Sequence, residues 1–265
     1  MQRKKITVPI IRSRKRERKK ITMLTAYDYP LAKIIDKAGI DIILVGDSLG
    51  MVALGYPSTL PVTVKEMLHH IKAVRRGVEF ALLVGDMPFG SYNTFEQAIN
   101  NATKFIKAGC EAIKLEGGKE IAGIVRGLTE RGIPVMGHLG LTPQRVSEFG
   151  GFKVQGRKEG EAKRILESAL CLEEVGAFSI VLECVPQELA KLVSERLEIP
   201  TIGIGAGKDC DGQVLVSQDL LGLFEEFTPR FVKRYAHLSP IILKALESFK
   251  EDVLNQRFPD KEHSY

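Results

Sequence analysis

Four short apolar runs of this sequence each lead into a carboxylate. Residues 42–45 are followed by Gly46, Asp47 and Ser48, and residues 81–84 by Gly85 and Asp86. Residues 112–115 run into Glu116, and residues 180–182 into Glu183. A single acid at the end of a strand commonly caps a helix or turns a loop. Four acids at corresponding ends of parallel strands would instead converge on one end of one sheet. Converging carboxylates repel one another and ionise together only when a counter-charge is present. A divalent cation is the simplest such charge, and all-oxygen ligands favour Mg²⁺ or Ca²⁺ over zinc. Asp47 and Asp86 share the local pattern Val-Gly-Asp and are the first-choice ligands.

Glu116 and Glu183 are then free for other work. A metal on a substrate carbonyl acts as a Lewis acid, and a glutamate beside it can remove a proton alpha to that carbonyl. Lys114 would supply positive charge to a carboxylate or a developing enolate. Because it alternates with Ile113 and Leu115, it either points inward with the acids or snorkels to the surface. His138 follows the fifth apolar run and either serves the site or bonds a neighbouring loop. Gly205, Ala206 and Gly207 resemble an anion-binding turn, a weak signal on its own. His69 and His70 are adjacent, face different sides of a helix, and read as packing or solvent residues.

The elements that must position these side chains alternate in a regular way. Strands are expected over 21–26, 42–45, 80–84, 112–115, 134–136, 178–182, 201–204 and 213–216. Helices are expected over 31–38, 64–74, 95–106, 121–128, 161–175, 187–197 and 238–256. Thr63 with Glu66, and Thr94 with Gln97, have the spacing of helix caps. Gly39, Gly109 and Gly176 stand where helices should stop. Eight strand–helix repeats in one stretch, without an internal linker, imply a parallel sheet with right-handed crossovers. That number in roughly 250 residues is the size of a (β/α)8 TIM barrel, whose sites form at the C-terminal ends of the strands. No G-x-G-x-x-G follows the first strand, so an open dinucleotide-binding sheet is disfavoured.

The chain has 265 residues and a formal charge of +5. That charge is unevenly placed. Residues 1–20 carry ten Lys or Arg and one acid, Glu17, whereas the rest of the chain is mildly acidic. A basic arm can bind nucleic acid or anionic lipid, but no nucleic-acid motif follows it, and it reads as a solvated extension. The domain plan is thus a basic arm over 1–20 and one catalytic barrel over 21–265, with a C-terminal helix and tail. No run of 18 apolar residues is present, so no membrane-spanning helix is expected. The N-terminus lacks the apolar segment of a secretory signal. Cys110, Cys171, Cys184 and Cys210 form no C-x-x-C pair and read as buried thiols of a reducing, cytoplasmic setting.

The run ITMLTAYDYPLAKIIDKAGIDIILVGDSLGMVALGYPSTLPVTVKEMLHHIKAVRRG resembles the N-terminal half of the ketopantoate hydroxymethyltransferase family. KLEGG, GHLGLTPQ, GGFKVQGR, LECVP, IGIGAG and the terminal EHSY match the same pattern in register. The resemblance implies a (β/α)8 barrel of the phosphoenolpyruvate/pyruvate-binding type, a Mg²⁺ requirement and a homodecamer. It implies transfer of a hydroxymethyl group from 5,10-methylenetetrahydrofolate to 3-methyl-2-oxobutanoate, giving 2-dehydropantoate and tetrahydrofolate on the way to pantothenate and coenzyme A. Carried over by position, the metal ligands fall on Asp47 and Asp86, with Glu116 in or next to the metal shell. Substrate contacts fall on Asp47, Ser48, Asp86 and Lys114, and the general base on Glu183. His138 would assist protonation of the departing folate nitrogen, and loops around Gly55 and Gly151 would exclude water. The alternative on the same scaffold is a Mg²⁺-dependent lyase or mutase that cleaves or rearranges C–C or P–C bonds of an α-keto acid. The absence of a K-K-C-G-H-type stretch argues against the lyases. A second alternative is a binding protein acting through its basic arm.

Overall fold

The computed structural model describes residues 3–151 and 153–265. Met1 and Gln2 of the expected arm, and Phe152 of the loop after the fifth strand, lie outside the described residues. Two compact units are present, Met1–Val216 and Ser217–Tyr265.

In the first unit eight parallel strands close into a barrel in sequential order, β8 returning to β1. The strands are β1 (Ile21–Thr25), β2 (Ile42–Val45), β3 (Leu82–Asp86), β4 (Ala112–Glu116), β5 (Val135–Gly140), β6 (Ser179–Glu183), β7 (Thr201–Ile204) and β8 (Gly212–Leu215). The helices are α1 (Val8–Arg16), α2 (Tyr29–Lys37), α3 (Leu49–Val52), α4 (Val64–Arg75), α5 (Phe95–Lys107), α6 (Ala122–Thr129), α7 (Val146–Phe149), α8 (Glu159–Glu174) and α9 (Gln187–Arg196). The expected eight-strand barrel is therefore present. The short α3 and α7 lie in stretches read from the sequence as loops.

Local chemistry starts the helices where the sequence places them. Thr63 and Glu66 form a reciprocal capping box at α4, and Thr94 accepts from the Gln97 N–H at α5. Gly39 follows α2 with φ of +90°, a left-handed conformation that a side chain would strain.

Successive strand residues point to opposite faces, and here the two faces feed two separate cores. Ile43, Val45, Leu83, Ile113, Leu115, Ile180 and Leu182 pack outward with the helices. Ile42, Leu44, Leu82, Val84, Ala112, Met136 and Val181 fill the barrel interior. The same parity carries Asp86, Lys114, Glu116, His138 and Glu183 to the inner face, above that apolar floor. The ambiguity over Lys114 is resolved by this alternation: it points inward and is 4% exposed.

The basic arm differs from expectation. It is not a solvated extension, because α1 buries Ile11 completely within the interior cluster at the N-terminal end of the strands. Its cations meet acids that stand just before strands. Arg14 forks onto Asp41 at 2.6 and 3.1 Å, Lys15 reaches Asp211 at 2.8 Å, and Lys5 reaches Glu111 at 2.5 Å. Each acid also accepts a backbone N–H from a neighbouring strand: Asp41 from Thr22, Asp211 from Thr201, and Glu111 from Leu83. The arm thus closes the barrel on the side opposite the acid-bearing strand ends.

The second unit contains α10 (Ser217–Leu220) and α11 (Leu238–Leu254). No residue of α11 is buried, although Ile241, Leu243, Leu246, Phe249 and Leu254 are large and apolar. In the tail, Phe258 packs edge-on against Phe249, and Asp260 holds His263 at 2.7 Å.

Candidate active site

The four acids come together as their strand positions require. Asp86 and Lys114 are neighbours in the β3–β4 register, Glu116 and His138 in β4–β5, and Gly140 and Glu183 in β5–β6. Asp47 stands two residues past the end of β2, and its backbone N–H donates to Asp86 Oδ2 at 3.3 Å. Lys114 Nζ donates to Asp86 Oδ1 and Oδ2 at 2.6 and 2.7 Å and lies 3.7 Å from Glu116 Oε1. His138 Nδ1 is 3.2 Å from Glu116 Oε1. Its Nε2 lies at ion-pair distance, 3.3 Å, from Glu183 Oε2 without hydrogen-bond alignment. A continuous line of charge therefore runs Asp86, Lys114, Glu116, His138, Glu183.

Access differs sharply along that line. The side chains of Asp86, Glu116 and His138 are each 2% exposed, whereas that of Glu183 is 16% exposed. Glu183 is the carboxylate that an incoming molecule could meet. Ser48 is half-buried, and its hydroxyl is 2.8 Å from the Tyr27 hydroxyl.

Burial and charge set the protonation states. Burial, reinforced by the charges of Asp86 and Glu116, pushes the Asp47 carboxyl well above the usual range. Burial also raises Asp86, against the pull of Lys114. Burial alone would raise Glu116, but the His138 charge and hydrogen bond outweigh it and hold that carboxyl low. Burial and Lys114 disfavour a charged His138, yet Glu116 and Glu183 prevail and raise it to about 9. Lys114 loses by burial and gains more from Asp86, Glu116 and Asp47, so its ammonium is retained. Two cations thus face four carboxylates, and Asp47 has no ion-pair partner among the described residues.

That imbalance and the oxygen-only donors around Asp47 suit a hard divalent cation. Among the described residues, no group of three His, Cys, Asp or Glu side chains stands ready-made to hold a metal ion. The Lys114 ammonium occupies both oxygens of Asp86. The donor chemistry fits a cation, and the side chains would have to turn to meet it.

Two participants escaped the sequence reading. Gln144, in the loop after β5, donates from Nε2 to Asp47 Oδ2 and to the Met87 carbonyl, each at 2.9 Å. Its backbone N–H donates to Glu116 Oε2 at 3.0 Å. Tyr92, in the loop after β3, places its hydroxyl 2.6 Å from Gln144 Oε1. Both lie in stretches without periodicity, and the only signal was the motif GHLGLTPQ, in which Gln144 is the last residue. A further position in that motif matters for packing. Gly140 has φ of +94°, and a Cβ there would run into the Glu183 carbonyl oxygen.

Comparison with known proteins matches the sequence of this chain to a family. A model of the ketopantoate hydroxymethyltransferase family matches residues 5–261. The 3-methyl-2-oxobutanoate hydroxymethyltransferase of Syntrophus aciditrophicus (strain SB) is 57% identical over 264 residues, covering 99% of this chain and 97% of that protein. The protein of the same name from Moorella thermoacetica is 54% identical over 266 residues, covering 100% and 99%. Among solved structures, phosphonopyruvate hydrolase in complex with oxalate and Mg²⁺ matches with a TM-score of 0.64 at 12% identity, covering 97% of this chain and 93% of that one. A 2,3-dimethylmalate lyase of the PEP mutase/isocitrate lyase superfamily matches with a TM-score of 0.60 at 13% identity, covering 97% and 91%. At that identity the likeness to these structures shows the barrel fold alone. The full-length matches at more than half identity decide the matter: the chain is an enzyme that belongs to the ketopantoate hydroxymethyltransferase family.

Proposed function

We propose that this chain transfers a hydroxymethyl group from 5,10-methylenetetrahydrofolate to 3-methyl-2-oxobutanoate, yielding 2-dehydropantoate and tetrahydrofolate for pantothenate and coenzyme A synthesis. The observation that carries the site reading is the line of charge from Asp86 to Glu183. It joins a buried ammonium to one accessible carboxylate.

Asp47 and Asp86, with Glu116 directly or through water, would hold Mg²⁺, which when bound polarises the oxygens of an α-keto acid. The Ser48 hydroxyl and the Lys114 ammonium orient the substrate carboxylate. Glu183 removes the C3 proton, and Lys114 offsets the negative charge that develops on the enolate oxygen. The C3 carbanion then takes up the methylene carbon carried by the folate; both carbon–nitrogen bonds of the methylene bridge break, and the two nitrogens take one proton from C3 and one from water. One water is consumed in the net reaction, and its oxygen becomes the new hydroxyl. His138 faces carboxylates with both ring nitrogens. Its Nε2, 3.3 Å from Glu183 Oε2, would exchange protons with Glu183, which carries the C3 proton on to a folate nitrogen.

Two further features bear on partners. The apolar side chains along α11 are exposed over its whole length, which supports burial against other copies of the chain in a homodecamer. Lys5, Arg14 and Lys15 of the arm are engaged by the barrel's own acids, which supports a role in closing the barrel over nucleic-acid binding. No helix among the described residues is long and apolar enough to cross a membrane, and the proposed setting is the cytoplasm.

The test is formation of 2-dehydropantoate from 3-methyl-2-oxobutanoate with the folate donor supplied, omitted, or supplied with EDTA. Product that needs both donor and metal supports the reading. Turnover of the keto acid without folate would favour the lyase or mutase chemistry.

A further inference from the structure

The Gln144 side chain is held at every polar atom. Its two N–H groups go to Asp47 Oδ2 and to the Met87 carbonyl. The Met87 carbonyl can only accept, so the amide nitrogen must lie on that side and Oε1 on the other. Oε1 sits 2.6 Å from the Tyr92 hydroxyl. Burial and the nearby acids keep that phenol protonated, so it is a donor. The orientation of the amide is therefore dictated by its neighbours. It aims one N–H at the one carboxylate of the site that lacks a cationic partner. The backbone of the same residue donates to Glu116 Oε2. Pro143 sets the chain direction one residue earlier, at the start of the 3-10 turn Pro143–Arg145.

We infer that Gln144 is a positioning residue, whose side-chain amide and backbone N–H hold Asp47 and Glu116 in one fixed relation across the barrel mouth. The inference rests on the function proposed above, because it assigns Asp47 and Glu116 to cation binding. Gln144 contacts Asp47, Glu116, Met87 and Tyr92, and acts through those acids. Glutamine is required because the position needs a neutral group that donates twice and accepts once. A glutamate of the same shape would set a carboxylate against both Asp47 and the Met87 carbonyl. Partners that orient metal-binding side chains typically alter affinity roughly 10–100-fold when replaced.

The experiment compares full-length wild type with Gln144→Glu, Gln144→Met, Gln144→Ala and Tyr92→Phe. Mn²⁺ binding is followed by electron paramagnetic resonance, C3 exchange of 3-methyl-2-oxobutanoate by NMR, and stability by thermal unfolding. All four variants keep the Gln144 backbone bond to Glu116, so the three Gln144 variants isolate the amide, whereas Tyr92→Phe also removes the phenol contact to the Glu116 carbonyl at 3.2 Å. The inference expects Gln144→Glu to be the most damaging change for Mn²⁺ affinity and for KM of the keto acid, by roughly tenfold or more. Gln144→Met should be intermediate and Tyr92→Phe mildest, with folding retained in Gln144→Glu and Tyr92→Phe. A purely structural role predicts the opposite order, with Gln144→Ala worst and the isosteric Gln144→Glu near wild type. That order, or unchanged Mn²⁺ binding in all four, overturns the inference. Wild type that binds Mn²⁺ without exchanging C3 would refute the proposed function while leaving Gln144 to be judged by Mn²⁺ affinity. Wild type that binds no Mn²⁺ would refute both.

Discussion

The Lys114 ammonium lies between the two oxygens of Asp86, its neighbour in the β3–β4 register, with both side chains almost fully buried. The pair is the centre of the site and also its structural risk. Replacing Lys114 with Met would leave Asp86 buried without its cation. Loss of one partner of a buried pair costs about 3–5 kcal/mol, and protonation of Asp86, already favoured by burial, lowers that figure. Lys114→Met should therefore fold with a reduced urea midpoint, a loss of about 3 kcal/mol, and no measurable hydroxymethyl transfer. Lys114→Arg should not restore turnover, because a planar guanidinium cannot take the place of a compact ammonium here.

Ile11 ties the basic arm to the barrel interior. Truncation of a fully buried isoleucine costs about 2–5 kcal/mol. Ile11→Ala should lower stability within that range in denaturant titrations. An exposed control, Arg12→Ala, should change it by less than about 0.5 kcal/mol. A stability change for Ile11→Ala no larger than that of the control would show that α1 does not hold the barrel closed.

Gly140 meets the backbone of Glu183 too closely for a side chain. Gly140→Ala should displace Glu183 from His138 while leaving the Asp86–Lys114 pair in place. The expected outcome is a fall in kcat for C3 exchange of roughly 100-fold, with keto-acid affinity changed far less. Equal losses in kcat and affinity would show a general collapse of the site.

Cys184 follows Glu183 directly, with φ of +47°. Burial, and then the charge of Glu183, push its thiol up from about 9 to about 12. The unfolded chain therefore ionises this thiol first. Stability is therefore undiminished by this group below about pH 9 and falls as pH rises towards 12, where the folded chain must carry a buried thiolate. Alkylation follows the thiolate, so at pH 8.5 Cys184 should react with iodoacetamide far more slowly in the native protein than in urea. Peptide mass spectrometry checks this, and equal rates in the two states would contradict it.

The barrel and most of the acid cluster were legible in the sequence because both follow from period two. Once residues 82, 84, 112, 136 and 181 face inward, so must Asp86, Lys114, Glu116, His138 and Glu183. Strand ends were less legible. β3 runs on through Gly85 to Asp86, and β5 through His138 to Gly140, because glycines that weaken a strand in isolation are tolerated inside a closed parallel barrel. The arm was misread because ten basic residues hide one buried isoleucine, and its acid partners are 27 to 196 residues away. Gln144 and Asp47 are 97 residues apart and share no pattern, so only the folded chain brings them together.

The central claim is that Glu183 abstracts the C3 proton. It is tested most directly by NMR of 3-methyl-2-oxobutanoate in D₂O with Mg²⁺, for wild type and Glu183→Gln. The account predicts metal-dependent exchange in wild type and a loss of roughly 100-fold or more in the variant, with keto-acid binding largely retained. Exchange at the wild-type rate in Glu183→Gln would contradict it and move the base to another carboxylate of the site.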